Sequence, residues 1–429
     1  MKPIKIGLIG LGTVGGGVVE ILKAHHDDIV RHAGVDLQLV RAADTNEARF
    51  AQLGLGPDVA TTDGFAVIAD PEVDVVVELV GGTGIAHKMV IEALKAGKSV
   101  VTANKALLAT HGEEIFALAD ARGLDIRFEA AVGGGIPILG PLTHSTTANE
   151  FSRVLGIVNG TTNYMLTRMT EAGLDFDTAL KEAQDLGYAE ADPTADVDGY
   201  DAAAKIAILA SMVFNSRVTL NDVPTQGIRE LAPADIAYAA EIGYTVKLLA
   251  LANKTDSGID IRVHPTMIPA KHQLASVDGV YNAIYLTGDF VGDLMFFGEG
   301  AGAGAAASAV VGDIVEAART LGGGTDAIGC TCTDNLPIRA LDDLVCRYYF
   351  RLIVADRAGV IAAVARVLAD HRVSMQSLIQ RGTTADGMAE VVYVTHAARE
   401  GDIQAALAEI RELDVVSSVA SLIRVEDLA

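Results

Sequence analysis

The sequence predicts an α/β protein with three parts: a doubly wound parallel sheet, an α+β middle domain and a βαββαβ module. Three observations support this prediction. Strand and helix patterns alternate from residue 4 to about residue 132, as in a parallel sheet covered by helices on both faces. The last of these strands is expected at 125–132. Beyond Ala148 the regular alternation is lost, and a helix is expected at 233–244. Residues 346–429 follow the order strand, helix, strand, strand, helix, strand, which is typical of a ferredoxin-like module.

The composition indicates a folded, acidic protein of several domains. The 429 residues carry a formal net charge of −23, and 50% of them are hydrophobic. This charge argues against nucleic acid and anionic membranes as partners, because both require basic surfaces. Three cysteines make no disulfide framework, which fits a reducing compartment. No apolar run is long enough to span a membrane, and the first strand leaves no room for a signal peptide, so we expect a cytoplasmic protein.

A glycine-rich turn joins the first strand to the first helix. Residues 4–8 form the strand pattern, and Gly10, Gly12 and Gly15 then follow as G-x-G-x-x-G. Between a strand and a helix this spacing is typical of a Rossmann-type dinucleotide site. The first glycine permits the tight turn, the second lets a pyrophosphate approach the backbone, and the third allows close helix packing. Thr13 and Val14 open the helix, whose N-terminus would face the phosphates.

The second strand ends at an acidic residue that bears on cofactor choice. Asp44 follows this strand, and a carboxylate there can bind a ribose 2′-hydroxyl and favour NAD. Arg41 and Arg49 lie nearby in the sequence and can instead bind a 2′-phosphate. The choice between NAD and NADP therefore stays open at this stage.

Two further positions lie where the strands of a parallel sheet end, which is where such sheets bind ligands. Lys105 follows the strand 99–103, and we interpret it as a contact to cofactor or substrate rather than a surface lysine. After the last strand come three glycines, Gly133 to Gly135, with Glu129 just before them. Carbonyl groups and a carboxylate can bind a hard cation, although a plain turn explains the glycines as well.

The middle domain contains an acid-rich segment, residues 187–205, with five carboxylates in nineteen residues. Its last part opens a helix, so Asp201 and Lys205 lie four apart on one face. That face continues with apolar residues. One interpretation is an exposed ion pair beside a solvated loop. The other is a site where an ammonium and carboxylates meet a small substrate with an amino group.

The remaining segments set the domain boundaries. Glycines again precede a helix of small residues at 298–320, and we expect Gly302 to make a second approach to the nucleotide. The predicted domains are a nucleotide-binding domain at 1–147, with 298–324 packing back on it, a catalytic and dimerisation domain at 148–297, a linker at 325–345 and the βαββαβ module at 346–429.

Five segments together resemble homoserine dehydrogenase along nearly the whole chain. They are GLGTVGGG at 10–17, TANKALLA at 102–109, EAAVGGGIP at 129–137, GIVNGTTNYML at 156–166 and GYAEADPTADVDGYDAAAK at 187–205. The last is far more specific than a glycine-rich turn. The C-terminal module resembles an ACT domain, with ADRAGV at 355–360 as its first loop.

The resemblance implies an activity and a set of site residues. The family reduces aspartate semialdehyde to homoserine, and catalyses the reverse reaction, with NAD(P)(H). By motif match, the implied residues are Lys205 and Lys105 for catalysis; Glu190, Asp201, Asp196 and Gly187 for the substrate; Gly10, Gly12, Thr13, Val14, Gly15, Asp44, Lys105 and Gly302 for the cofactor; and Glu129, Val132, Gly134 and Ile136 for a sodium-type cation.

The resemblance also implies regulation and assembly. An ACT domain suggests feedback control with threonine as the effector, and a homodimer or homotetramer. We expect the module to be removable without loss of activity, because it contains none of the proposed chemistry. Two alternatives remain: another NAD(P)-dependent amino-acid dehydrogenase, or a catalytically silent amino-acid sensor. The intact segment 187–205 argues against both.

Overall fold

The computed structural model describes residues 3–323, 329–383 and 387–428. Residues 325–328 of the predicted linker lie outside the described part. The chain forms two compact units, each built from three segments. Unit 1 consists of Met1–Val154, Ala204–Asp222 and Asn282–Leu336, and unit 2 of Leu155–Ala203, Val223–Tyr281 and Pro337–Ala429.

The described residues form strands and helices with the following bounds. The strands are β1 Ile4–Ile9, β2 Leu37–Ala43, β3 Ala60–Thr61, β4 Val75–Glu78, β5 Ser99–Thr102, β6 Ile126–Arg127, β7 Phe151–Ile157, β8 Tyr244–Thr255, β9 Gly258–Pro269, β10 Tyr281–Gly288, β11 Gly292–Glu299, β12 Val345–Ala355, β13 Met375–Thr383, β14 Met388–Thr395, β15 Ala398–Arg399 and β16 Val416–Val425. The α-helices are α1 Thr13–Ala24, α2 His26–Ala33, α3 Ala48–Gln52, α4 Gly64–Ala69, α5 Ile85–Lys95, α6 Lys105–Arg122, α7 Leu139–His144, α8 Gly160–Ala172, α9 Phe176–Asp185, α10 Thr194–Val197, α11 Tyr200–Val213, α12 Pro233–Glu241, α13 Ala303–Leu321, α14 Val360–Asp370 and α15 Glu400–Arg411.

Unit 1 contains the predicted doubly wound sheet. Its strands have the order β3-β2-β1-β4-β5-β6, and the neighbouring strands run parallel. Strands such as VVVE and SVVT are buried along their whole length because helices cover both faces. The order reverses between β1 and β4, which is where such sheets bind their ligands. The glycine-rich turn lies at this switch point.

Helix α13 packs on α1 in the same unit. A Cβ atom on Gly17 would lie 2.8 Å from the Cβ of Ala307 and 3.0 Å from the carbonyl oxygen of Ala303. A side chain at Gly17 would therefore push the two helices apart. This close approach explains the run of small residues at the start of α13.

Unit 2 contains a mixed sheet with the strand order β8-β9-β16-β12-β14-β13. Strands β8 and β9 form an antiparallel hairpin, with Tyr244 opposite Pro269. Within the C-terminal module the order β16-β12-β14-β13, with α14 and α15 as the helices, confirms the ferredoxin-like prediction. Its core includes Phe350 and Tyr393, whose stacked rings lie 4.8 Å apart.

Some elements differ from the sequence predictions. Strand β8 was not predicted, and the strand expected at 125–132 is limited to Ile126–Arg127. The strand ends early because Phe128 leaves the extended conformation at φ −155° and ψ 33°, and residues 129–131 form a 3₁₀ turn. Among the described residues, no helix is both long and apolar enough to cross a bilayer.

Candidate active site

The three glycines of the turn have different surroundings in unit 1. Gly10 has φ +97°, and a Cβ atom there would lie 2.7 Å from the Leu79 carbonyl. A Cβ atom on Gly15 would lie 2.0 Å from the Gly10 oxygen. Among the described residues other than its chain neighbours, no atom lies within 4 Å of the corresponding position on Gly12. The first and third glycines thus close the turn, while the second is open to a ligand such as a pyrophosphate.

Asp44, after β2, and Arg49, on α3, hydrogen-bond to the backbone of this turn. Asp44 accepts hydrogen bonds from the Leu11 N–H at 2.6 Å and from the Asn46 N–H at 2.8 Å. Arg49 donates to the Leu11 and Gly12 carbonyls at 2.7 and 3.1 Å. Arg41 instead pairs with Asp70 at 2.5 Å. Of the two arginines considered for a 2′-phosphate, only Arg49 therefore contacts the turn.

The other cofactor-side residues belong to helix starts in unit 1. Thr13 is the first residue of α1 and is exposed, and Val14 behind it is partly buried. Gly302 is the N-cap of α13, with φ +127°. Since α13 packs on α1 through Ala303 and Gly17, Gly302 lies close to the helix that carries the glycine turn.

Lys105 is the first residue of α6 and is held at the sheet edge by a buried network. Glu78 is fully buried at the end of β4 and accepts a hydrogen bond from the Thr102 hydroxyl at 2.7 Å. The Thr102 hydroxyl accepts from the Asn104 N–H at 3.0 Å, and the Asn104 amide caps α6 through the Leu107 N–H. This chain of bonds fixes the backbone from which the Lys105 side chain leaves.

The loop at Glu129 holds a carboxylate beside an unusual backbone. Glu129 accepts hydrogen bonds from the N–H groups of residues 138, 139 and 140 at 2.6 to 2.8 Å. Gly133 and Gly134 both have positive φ, at 73° and 58°. Val132 and Ile136, on either side of them, are buried. The donor set of a carboxylate and closely spaced carbonyls fits a hard, oxygen-preferring cation.

A second buried carboxylate lies next to this loop. Asp313 on α13 accepts the Glu129 N–H at 2.7 Å. Burial raises the pKa of Asp313 well above its ordinary value, and the negative charge of Glu129 raises it further against the effect of that hydrogen bond. The ionised form of Asp313 is therefore disfavoured in this loop, and a cation bound beside it would favour that form.

In unit 2, one asparagine joins two of the predicted substrate residues. The Asn159 side chain donates to Asp196 at 2.7 Å and to Asp201 at 2.9 Å. Its oxygen accepts from the Thr162 N–H at 2.9 Å and thereby caps α8. Asp201 lies in the first turn of α11. The side-chain amide of Asn159 is thus engaged with the protein's own acids.

The other acids of the segment have separate environments. Asp192 accepts the Thr194 N–H at 3.1 Å, and its hydrogen bonds to Thr194 lower its pKa. Asp198 pairs with Arg229 at 2.5 Å. Gly187 has φ +77° after the end of α9, and the Glu190 side chain that follows is exposed. Glu190 and Asp192 are both exposed, so both carboxylates are accessible to a ligand from solvent.

Lys205 lies one turn beyond Asp201 on α11 and is buried, with 9% of its surface exposed. A surface ion pair would leave the lysine in solvent. The exposed-pair interpretation is therefore wrong for Lys205, and its ammonium lies in an environment of reduced solvent access. Charge interactions are stronger in such an environment than in water.

The roles of four buried polar residues were not predicted from the sequence. Glu78 and Lys247 each interrupt an apolar strand, and that interruption is the signal that was available. The Lys247 ammonium donates to the Val277 carbonyl at 2.6 Å and to Asp278 at 2.9 Å, and burial lowers its pKa. Asn163, on α8, donates to the same segment at Val277. The fourth is Asn159, for which the sequence gives no pairing signal.

Comparison with known proteins covers almost the entire chain. The family models for homoserine dehydrogenase, for its NAD binding domain and for the ACT domain match residues 137–315, 10–129 and 348–415. The chain is 46% identical to the homoserine dehydrogenase of Synechocystis sp., over 98% of this chain and 99% of the relative. It belongs to the homoserine dehydrogenase family. Members are NAD(P)-dependent oxidoreductases, and the enzyme assignment follows from this membership.

Solved homoserine dehydrogenases agree with the assignment. The structure from Thiobacillus denitrificans has a TM-score of 0.95 at 42% identity, covering 100% of this chain and 99% of that one. A hyperthermophilic archaeal homoserine dehydrogenase in complex with NADPH has a TM-score of 0.64 at 29% identity, covering 74% of this chain and 98% of that one. The predicted nicotinamide cofactor of this homoserine dehydrogenase is therefore supported at the level of NAD(P)(H).

Proposed function

We propose that this chain catalyses reversible hydride transfer between NAD(P)(H) and the aspartate semialdehyde–homoserine pair, with Lys205 as the acid. Family membership over the full length supports the reaction. The observation that carries the role of Lys205 is its burial on α11, one turn after Asp201 and the acid-rich segment. Burying a lysine is costly, so a buried ammonium that follows an acid-rich segment on the same helix is a candidate for a functional role.

The proposed roles of the two lysines follow from the chemistry of carbonyl reduction. When bound, the nicotinamide cofactor supplies the hydride. As the aldehyde carbon accepts it, negative charge develops on the aldehyde oxygen. The Lys205 ammonium stabilises this charge and donates the proton that completes the hydroxyl group, and in the reverse direction the neutral amine accepts it. Lys105, at the start of α6, orients substrate and cofactor at the sheet edge.

Substrate binding is assigned to the acid-rich segment. The ammonium group of the substrate requires carboxylates, and Glu190 and Asp201 are proposed to provide them. Asp196 shares the amide of Asn159 with Asp201, so Asn159 is a positioning residue for both. Gly187, with its positive φ, turns the chain so that the segment carrying Glu190 leaves α9.

The cofactor is assigned to the glycine turn and its neighbours in unit 1. The pyrophosphate would lie at Gly12, with the adjoining helix N-terminus at Thr13 and Val14 contributing N–H groups. Gly10 and Gly15 allow the turn to close, and Gly302, the N-cap of α13, is proposed as a second contact to the cofactor. Asp44 is assigned to the ribose, and Arg49, rather than Arg41, is the residue available to a 2′-phosphate.

A monovalent cation, Na⁺, is proposed at the loop that contains Glu129. Its ligands would be the Glu129 carboxylate and the carbonyl groups of Val132, Gly134 and Ile136. The support is the Glu129 carboxylate, the buried Asp313 carboxyl hydrogen-bonded to the Glu129 N–H, and two consecutive glycines at positive φ. The cation would set the conformation of this loop and takes no part in the hydride transfer.

We further propose the domain roles, assembly and location that the family membership favours. Residues 1–147 with 298–324 form the nucleotide-binding domain, residues 148–297 the catalytic and dimerisation domain, residues 325–345 the linker and residues 346–429 a regulatory ACT domain. The matched ACT domain supports an amino-acid ligand, and we propose threonine, bound in a homodimer or homotetramer in the cytoplasm. A threonine titration of the full-length enzyme tests this effector, and indifference to millimolar threonine would remove it.

The decisive assay measures initial rates of NADH and NADPH oxidation with aspartate semialdehyde. We expect turnover with at least one cofactor, and no turnover with either would contradict the reaction.

Glu190→Gln should raise KM for homoserine with little change in KM for the cofactor, because it removes a charge facing the substrate ammonium. Asp192→Asn is the matched control, since Asp192 lies in the same segment and its side chain serves as a local cap.

A further inference from the structure

Two helices of unit 1 bring two histidines and a glutamate together. His87 lies in the first turn of α5, and His111 and Glu114 lie in the second and third turns of α6. The two imidazole rings stack with centroids 4.3 Å apart and an angle of 18° between their planes. The His87 Nε2 lies 3.0 Å from the Glu114 Oε2. One ligand atom from each residue can be chosen so that all three lie within 4.8 Å of one another.

The helical scaffold makes this arrangement specific. His111 and Glu114 are three residues apart on α6 and therefore share one face. His87 reaches that face from α5, which packs against α6. Both histidines are partly buried, while Glu114 is exposed. The cluster is thus held by ordered helices and is open to an ion from solvent.

We propose that His87, His111 and Glu114 form a binding site for a divalent transition metal of the Zn²⁺ or Co²⁺ type. Two imidazole nitrogens and one carboxylate oxygen are a donor set that suits these ions, whereas Mg²⁺ and Ca²⁺ prefer oxygen ligands alone. With metal–ligand bonds of about 2.0–2.2 Å, tetrahedral ligand atoms lie about 3.3 Å apart. The ligand atoms now lie within 4.8 Å of one another, and metal binding would require the stacked imidazole rings to turn so that a nitrogen of each faces the ion. Water would occupy the fourth position.

A metal there would tie α5 to α6 at the end of each helix that adjoins the ligand-binding edge of the sheet. The segment that precedes α5 already contacts the start of α6, because the Asn104 side chain donates to the Gly82 carbonyl at 2.7 Å. The metal would be a second link between the same two elements. Binding to the folded state alone stabilises that state, so the expected sign is an increase in thermal stability.

The first experiment is a titration of metal-free, full-length protein with Zn²⁺ by calorimetry and with Co²⁺ by visible absorption. We expect one tight site per chain and ligand-field bands in the Co²⁺ spectrum. His87→Ala and His111→Ala should each weaken binding by more than about tenfold, since loss of even an outer-shell partner costs about 10–100-fold. Glu114→Gln should weaken it as well.

Two matched controls separate this site from adventitious binding. His32→Ala removes an exposed histidine of α2, and Glu113→Gln neutralises an acid adjacent to Glu114. Both should bind Zn²⁺ as the wild type does. Equal affinity in wild type and His87→Ala, or an equal loss in His32→Ala, would overturn the proposal.

The increase in Tm on addition of Zn²⁺ is a second measurement, which does not require the Zn²⁺ affinities of the single histidine variants. Zn²⁺ should raise the Tm of the wild type and of Glu113→Gln, but not that of the double variant His87→Gln, His111→Gln. If the double variant does not fold, Glu114→Gln takes its place, with a reduced Tm increase expected. A Tm increase of the same size in these variants would contradict the site.

Discussion

The glycine turn of unit 1 and the junction between the C-terminal module and the rest of unit 2 are built on different principles. The turn is made of neighbours in sequence, and its geometry follows from missing side chains at Gly10 and Gly15. The junction is made of residues more than a hundred positions apart. There Asp235, fully buried on α12, accepts hydrogen bonds from Arg351 at 2.7 Å, from the Tyr349 hydroxyl at 2.9 Å and from the Ser421 hydroxyl at 2.7 Å.

A second set of charges extends this junction along β9. Strand β16 pairs in parallel with β9, with Arg424 opposite Thr266. Arg262 on β9 donates to Glu426 at 2.5 Å and to the His264 Nε2 at 3.1 Å. Arg424 also donates to Gln226 at 3.1 Å. A spacing motif such as the glycine turn can therefore be predicted from the sequence, whereas the partners of the buried charges at the junction cannot.

The largest expected effect is that of deleting residues 345–429. The sequence suggested a removable module, but deletion would leave one edge of β9 unpaired and Asp235 without its three donors. We expect the truncated chain to be aggregated or largely unfolded, as judged by circular dichroism and size-exclusion chromatography. Deletion of Leu428 and Ala429 alone is the control. A monodisperse, active truncated enzyme would restore the removable-module prediction.

Replacing Asp235 by Ala tests the junction with a single change. It leaves the buried Arg351 guanidinium without its main acceptor, and removal of one partner of a buried ion pair costs about 3–5 kcal/mol. Urea unfolding measures the change. Asp185→Ala, which breaks an exposed pair on α9, should change the free energy of unfolding by less than about 1 kcal/mol. If both variants lost a similar free energy of unfolding, the buried pair at the junction would contribute no more to stability than an exposed pair.

Two alanine substitutions in the glycine turn should separate folding from binding. Gly15→Ala should destabilise the protein by about 1–3 kcal/mol, because its Cβ overlaps the Gly10 carbonyl oxygen. Gly12→Ala should change stability by less than about 0.5 kcal/mol, since the space there is open. It should nevertheless weaken cofactor binding by about tenfold, or roughly 1.4 kcal/mol. Fluorescence titration with NADPH gives the affinities, and unchanged binding in Gly12→Ala would argue against a pyrophosphate at that residue.

The smallest effect is a pH dependence that arises at His264. Burial, and then the positive charges of Arg424 and Arg262, lower the pKa of His264 well below its ordinary value of 6.5. The unfolded chain therefore binds a proton there at a pH where the folded chain does not. Stability is complete above about pH 6.5 and falls as the pH decreases, until the folded-state pKa is reached.

For His264 this loss is on the order of 1 kcal/mol between about pH 7.5 and pH 5.5. We expect His264→Asn to lose that part of the pH dependence, whatever its stability at neutral pH. Urea unfolding at both pH values measures the difference. The same slope in wild type and variant would show that His264 is protonated in the folded protein.

Much of the fold could be predicted from the sequence because its signals are local. The G-x-G-x-x-G spacing, the buried strands that follow it and the βαββαβ order each lie within short windows. Strand β8 was missed because it continues directly from the residues that end the predicted helix at 233–244. The strand at 126–127 was predicted too long because nothing in the residue pattern marks the turn at Phe128.

The sequence predicted which residues belong to the candidate sites, but it did not predict which of them are joined by hydrogen bonds. Residues 187–205 identified the acids, but the sequence does not indicate that Asn159 joins Asp196 to Asp201. It likewise contains no signal that Arg41 is held by Asp70 while Arg49 contacts the turn. Such pairings depend on long-range packing, which periodicity and spacing do not record.

The most direct test of the central claim is the turnover number of Lys205→Ala, with cofactor affinity measured in parallel. If the buried ammonium is the acid in hydride transfer, kcat should fall by about 10²–10⁴-fold, while the affinity for NAD(P)H stays unchanged and the variant remains folded. A loss of less than about threefold in a folded variant would contradict the assignment, because general acid catalysis contributes far more than that.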